Sequence, residues 1–80
     1  MTRQDIEKKV TDILVDKLGV EPEEVKSEAN FEDDLSGDSL DLVVVLMEIE
    51  KDFRISVTDE EADQVNTVGD IFDLVEKHQK

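Results

Sequence analysis

Apolar residues near the start of the chain fall at Ile6, Val10, Ile13, Leu14 and Leu18. Steps of four, three, one and four describe one face of a helix, and they predict a helix over residues 3–18. Thr2 is placed to cap it, with Asp5 in the position of a capping box. Gly19 suits the residue just past a helix end. Residues 19–37 then show no sustained period. Pro22 favours a turn, while Val25, Ala29, Phe31 and Leu35 are spaced so as to pin a long loop onto a core. A loop of that length is uncommon in a compact domain and often carries function.

Period returns near Asp38 or Ser39 and continues to Phe53. Asp38 is a good N-cap, Asp41 suits the first turn, and Gly37 is expected to let the chain turn sharply beforehand. The β-branched run Leu42–Leu46 also admits a strand. The helix is preferred because the apolar pattern runs on through Met47, Ile49 and Phe53, too far for an ordinary strand, and no partner strand is evident. At about 100° per residue, Val43, Leu46, Ile49 and Phe53 form the expected core stripe. Leu40, Val44 and Met47 form a second apolar stripe, beside a polar arc of Asp41, Glu48, Lys51 and Asp52.

Residues 58–61 read Thr-Asp-Glu-Glu, a capping box opening a short third helix. Asn66 and Thr67 break it. Thr67 with Asp70 caps a fourth helix, whose apolar face is Val68, Ile71, Phe72 and Val75, ending near His78. The expected fold is all-α: a small four-helix bundle with one short helix and a long loop between the first two. Eighty residues point to one domain, 1–80. No internal repeat or low-complexity segment is present.

Composition sharpens this. There is no cysteine, so a disulfide framework, a cysteine-based zinc site and thiol chemistry from the chain itself are excluded. The formal charge is −14, from 23 Asp and Glu against nine Lys and Arg. Repulsion from phosphates argues against nucleic acid or an anionic membrane as partner. The longest apolar run, Leu42–Met47, is far short of the roughly 20 residues that span a bilayer. With no apolar leader pattern at the start, the expected location is the cytoplasm. Charge is also segregated: residues 21–63 carry −13 of the −14. A solvated face accounts for a charge run in general, but segregation costs self-repulsion and suits a surface for a basic protein partner.

Searches for chemistry mostly fail. With Gly37 at the sixth position of an EF-hand loop, Glu32, Asp34, Ser36 and Asp38 fall at ligand positions, but the twelfth is Val43 where a bidentate Glu is required. No metal is expected. His78 reads as an exposed helix-end residue. There is no Ser-His-Asp set, HExxH, P-loop or GxGxxG, and the chain is not expected to be an enzyme.

One stretch is specific: Asp38-Ser39-Leu40-Asp41, preceded by Phe31-Glu32-Asp33-Asp34-Leu35 and followed by Met47-Glu48-Ile49-Glu50-Lys51-Asp52-Phe53. With Val20–Val25, Ile55–Ala62 and Thr67–Asp70 in register, the chain resembles the acyl carrier protein family. The resemblance implies a 4′-phosphopantetheine arm on Ser39, attached by a phosphopantetheinyl transferase. It further implies a monomeric carrier of acyl thioesters, serving type II fatty acid synthesis enzymes with basic docking patches. The implied partner surface is Asp38, Leu40, Asp41, Val44 and Met47, and Phe31, Val43, Leu46, Ile49, Phe53 and Ile71 are the apolar lining that could shelter cargo, although each of the six is also expected in the core. Ser39 at a helix N-terminus agrees with a phosphate there, although without the flanking match it reads as an ordinary helix cap. The chain departs from the family in Ser36-Gly37 for Gly-Ala, in Val44 for a partner-binding Glu and in Lys51 for a commonly acidic position. The alternatives are a specialised carrier for polyketide, lipid or aminoacyl transfer, and an unmodified acidic helical interaction module.

Overall fold

The first apolar stripe forms helix α1, Arg3–Leu18, in the computed structural model, which describes residues 2–79. Met1 and Lys80, the ends of the expected 1–80 domain, lie outside the described residues. The Thr2 hydroxyl accepts from the Asp5 N–H at 3.2 Å and the Asp5 carboxylate accepts from the Thr2 N–H at 3.3 Å, which closes the capping box. Gly19 ends the helix in the left-handed region at φ 69°, its N–H donating to the Val15 carbonyl at 2.9 Å. Helix α2 is Ser39–Phe53, the short α3 is Asp59–Asp63, and α4 is Val68–His78. Each of these three opens on a reciprocal capping box, at Asp38/Asp41, Thr58/Glu61 and Thr67/Asp70. The four-helix, all-α expectation is met among the described residues.

α1 packs against both α2 and α4. Ile6, Val10, Ile13 and Leu14 of α1 meet Val45, Leu46, Ile49 and Phe53 of α2 and Val68, Ile71, Phe72, Leu74 and Val75 of α4 in one core. Fully burying one such side chain contributes about 1.5–3 kcal/mol. No polar or charged residue is buried among the described residues. The short α3 buries no residue fully and leans on α2 through the half-buried Ala62.

The long α1–α2 loop is pinned as its apolar residues predict, with Ala29, Phe31 and Leu35 all buried. It contains a single 3-10 turn, Pro22–Glu24. Its carbonyls also serve α4. Val68 donates to Ala29 and Gly69 to Ser27, both at 2.9 Å, so two N–H groups at the start of α4 that lack intrahelical partners are satisfied. Phe31 donates to the Asn66 carbonyl at 2.9 Å, and Asn30 and Thr67 form an antiparallel bridge.

Three sequence expectations need correction. Val43 is half-exposed and Val45 is buried in its place. Leu42, Val45, Leu46, Ile49 and Phe53 share one arc of about 100°, and Val43 lies about 60° beyond Leu46. Gly37 is not the turning residue: Ser36 takes the positive φ, 58°. Glycine is required at 37 by space, since a Cβ there would collide with the ring of Phe31. His78 ends α4 as expected, but it is only partly exposed and it touches Glu61.

Candidate attachment site and docking surface

Ser39 is the first residue of α2 and is exposed. The residue before it, Asp38, is the cap: its carboxylate accepts from the Asp41 N–H at 2.9 Å, and the Asp41 carboxylate accepts from the Asp38 N–H at 3.2 Å. A cap of this kind contributes about 0.5–2 kcal/mol. The two aspartates thus fix the backbone on either side of Ser39 and leave its hydroxyl free of the capping role. Upstream, Gly37 lies flat on Phe31 and donates to the Phe31 carbonyl at 3.0 Å. Phe31 is in turn tied to Asn66, and Asn30 accepts from Glu32 and Asp33 N–H groups at 2.9 Å. Ser39 therefore stands on a loop anchored to the α3–α4 junction.

From Ser39 an open groove of about 330 Å³ runs between α2 and α3. Leu42, Val43 and Leu46 form one wall, and Ala62 and Val65 form the other. Leu42, Val43 and Leu46 are three, four and seven residues after Ser39, so helix geometry puts them on its face. A recess of about 180 Å³ shares Val43, Leu46 and Ala62 and continues to Met47 and Val57. The groove was missed from the sequence for Ala62 and Val65, which no local pattern connects to Ser39. Its α2 wall could have been found from the i+3, i+4, i+7 spacing.

The electrostatics at Ser39 oppose a free anion. N–H groups of a first helical turn favour phosphate, but Asp38 and Asp41 flank the serine and Glu32, Asp59 and Asp63 line the groove. The site therefore repels a free phosphate, and what it offers is an exposed hydroxyl beside an apolar groove.

α3, the far wall, is held by Glu61. Its carboxylate accepts from the Thr58 N–H at 3.0 Å, approaches His78 Nε2 at 2.9 and 3.1 Å, and approaches Lys77 Nζ at 3.4 Å. The Thr58 N–H chiefly, with His78 and Lys77, lowers this carboxyl to about 2, against a smaller opposing effect of desolvation. Asp70 is likewise lowered by the Thr67 and Asn66 N–H groups.

The outward face of α2 is apolar. Leu40 is 76%, Val44 46% and Met47 62% exposed. With Lys51 they lie within about 60° of arc, while Asp41, Glu48 and Asp52 form a row about 90° round the helix. Asp38, Ser39, Leu40, Asp41, Val44 and Met47, singled out in the sequence, are thus brought together at the start and on the exposed face of one helix. Of the residues expected to shelter cargo, Phe31, Ile49, Phe53 and Ile71 are packed into the core, Leu46 is buried with one side on the groove, and Val43 opens on it.

The bundle thus presents an exposed serine at a helix start beside an apolar groove, and comparison with known proteins gives the class of domain to which it belongs. Residues 8–75 match the family model described as "Phosphopantetheine attachment site". Acyl carrier proteins from two strains of Porphyromonas gingivalis are each 50% identical over 76 residues, covering 95% of this chain and 97% of theirs. The solved structure of the acyl carrier protein from Enterococcus faecalis superposes with a TM-score of 0.82 at 31% identity, covering 98% of this chain and 99% of that one. That from Thermotoga maritima superposes with a TM-score of 0.84 at 31% identity, covering 96% and 89%. The chain belongs to the acyl carrier protein family: a carrier with phosphopantetheine as its prosthetic group, and not a catalyst.

Proposed function

We propose that the arm is attached at Ser39 and that the protein carries growing acyl chains for type II fatty acid synthesis, as a single monomeric domain in the cytoplasm. The observation that carries this reading is the exposed Ser39 hydroxyl, spared from capping by Asp38, at the head of an apolar groove. The arm supplies a terminal thiol, which the cysteine-free chain lacks, to hold acyl groups as thioesters. The chain's own residues do the rest. Asp38 and Asp41 hold the serine at the surface, where a phosphopantetheinyl transferase can reach it. Leu42, Val43, Leu46, Ala62 and Val65 offer apolar surface to the arm and the first part of its cargo. Asp38, Leu40, Asp41, Val44 and Met47 meet the enzymes that act on that cargo.

Intact mass tests the attachment. A phosphopantetheinyl transferase with coenzyme A and Mg²⁺ is expected to add one phosphopantetheine to the wild type and none to Ser39→Ala, which keeps its fold because Asp38 is the cap. Transfer to Ser36 in the Ala variant would overturn the assignment. The pathway is read from the thioester-bound groups on protein isolated from its own host. A series of straight chains growing by two carbons supports fatty acid synthesis, and a single aminoacyl or polyketide group places the protein in a specialised route.

A further inference from the structure

We infer that the α2 face is bipolar and that the transferase which loads Ser39 meets it with opposite polarity, basic beside its active-site mouth and acidic where it covers Lys51. This deepens the reading of Ser39 as the attachment point and rests on it. Enzymes that act on the arm's thiol are given reach by the arm. The loading enzyme has none, because its reacting centre must come to the Ser39 hydroxyl itself and its body must cover what adjoins it. What adjoins Ser39 is the ridge Leu40, Val44 and Met47, exposed by 76%, 46% and 62%.

The ridge ends on a cation. Lys51 is exposed in line with it, and none of the ion pairs among the described residues involves Lys51 or the neighbouring Arg54. In a chain of net charge −14 with 23 acids, a lysine left without a partner on the most apolar exposed face is available to a carboxylate from outside. Distance permits it. Twelve residues of helix separate Ser39 from Lys51, about 18 Å, and helical side chains lean toward the N-terminus, which brings the ammonium back toward the serine. An ordinary interface covers roughly 800 Å² per partner, a disc about 30 Å across. A face seated on Ser39 and the ridge therefore reaches Lys51. Asp38 and Asp41 make the near end acidic, and the apolar stretch runs from there to Lys51, the cation in line with it, while Glu48 and Asp52 stand about 60° and 100° round the helix from that lysine.

The test is the kcat/KM for loading by the host's own phosphopantetheinyl transferase, with coenzyme A and Mg²⁺, as a function of NaCl. Lys51→Glu is expected to lower it roughly three- to tenfold at about 20 mM salt. The deficit should fall within about twofold at about 0.5 M, where charges on the rim are screened. Lys26→Glu changes net charge by the same amount off α2 and is expected to stay within about twofold of wild type throughout. Asp41→Lys probes the near end separately and is expected to slow loading at low salt. Slowing by Asp41→Lys with no change or a gain for Lys51→Glu overturns the bipolar face and leaves the docking reading intact. An equal loss in Lys26→Glu also overturns it, as an effect of net charge alone. If Ser39 proves not to be the loaded residue, the mass measurement reports that first and independently.

Discussion

A methyl group on Gly37 would sit 2.8 Å from Phe31 Cδ2 and Cζ and closer still to Cε2. Phe31 is 2% exposed and its backbone is bonded to Asn66, so the ring has nowhere to go. Gly37→Ala is therefore expected to destabilise the protein by about 1–3 kcal/mol, the usual cost of overpacking, measured by urea unfolding. Combined with Phe31→Leu, which shrinks the obstacle, it should cost clearly less than the two changes summed. Strict additivity would show that the ring is not what excludes the side chain. Gly37 lies two residues before Ser39, so the same contact sets where the serine stands. At Ser39 itself the division of labour is chemical: the neighbouring carboxylate caps and the hydroxyl stays free. The capping role of Asp38 was readable from Asp38-Ser39-Leu40-Asp41, because a cap and its partner lie three residues apart, but the same stretch also admits Ser39 as a helix cap, and only the structure shows its hydroxyl left free of that role. The reason for glycine at 37 was not readable, because it comes from a ring across a fold of the loop.

Helix α3 has only five residues and no fully buried side chain, too little to hold itself together. It is kept in place by the Thr58/Glu61 box and by the reach of Glu61 to His78 and Lys77 on α4. The Glu61 carboxyl sits at about 2 against an ordinary 4.5. A folded state that holds the carboxylate ionised where the unfolded chain takes up a proton is stabilised above the ordinary value. That contribution is lost as pH falls toward the folded value. The stability difference between wild type and Glu61→Gln is therefore expected to be full near neutral pH and to shrink steadily below about pH 4.5. Urea unfolding of both proteins at several pH values measures it, and a difference that holds constant down to about pH 3 would refute the account. Comparing the pair cancels the acid response shared by the other carboxylates. At this scale sequence and structure agree wherever the signal is local. All four helices and their caps follow from three-residue spacings and apolar steps. The exchange of Val45 for Val43 does not follow. Leu42 to Leu46 are all apolar, so which of them is buried depends on where α1 and α4 lie. The bridge from Asn30 to Thr67 joins residues far apart in sequence, with no pattern to announce it.

The ion pairs among the described residues all involve α1, α4 or Glu61. Residues 21–63 hold a net −13, yet among the described residues Glu61 is the only acid of that segment with a cation within 4 Å. The segment includes the long loop, α2 and α3, so repulsion acts on the parts that place Ser39 and form the groove. Unfolding lets those carboxylates move apart, and the folded state accordingly gains when they are screened. Raising NaCl from about 20 mM to about 0.5 M shortens the screening length from above 20 Å to about 4 Å. The melting temperature should then rise by several degrees, a stabilisation on the order of 1 kcal/mol in a domain of this size. Divalent cations act on the same charges at lower concentration. No group of three or more acids, His or Cys is gathered to hold a metal ion among the described residues, so Mg²⁺ is expected to stabilise in the millimolar range without a tight stoichiometric step in calorimetry. Neutralising the segment by mutation provides the independent check. Glu23→Gln with Glu28→Gln, two exposed loop positions away from Ser39 and the ridge, should raise the melting temperature at low salt and reduce its response to both NaCl and Mg²⁺. A melting temperature indifferent to salt, or a double variant as salt-sensitive as wild type, would mean that the acidic segment is already relaxed in the folded protein. Its charge would then bear on what the protein meets rather than on how firmly it folds.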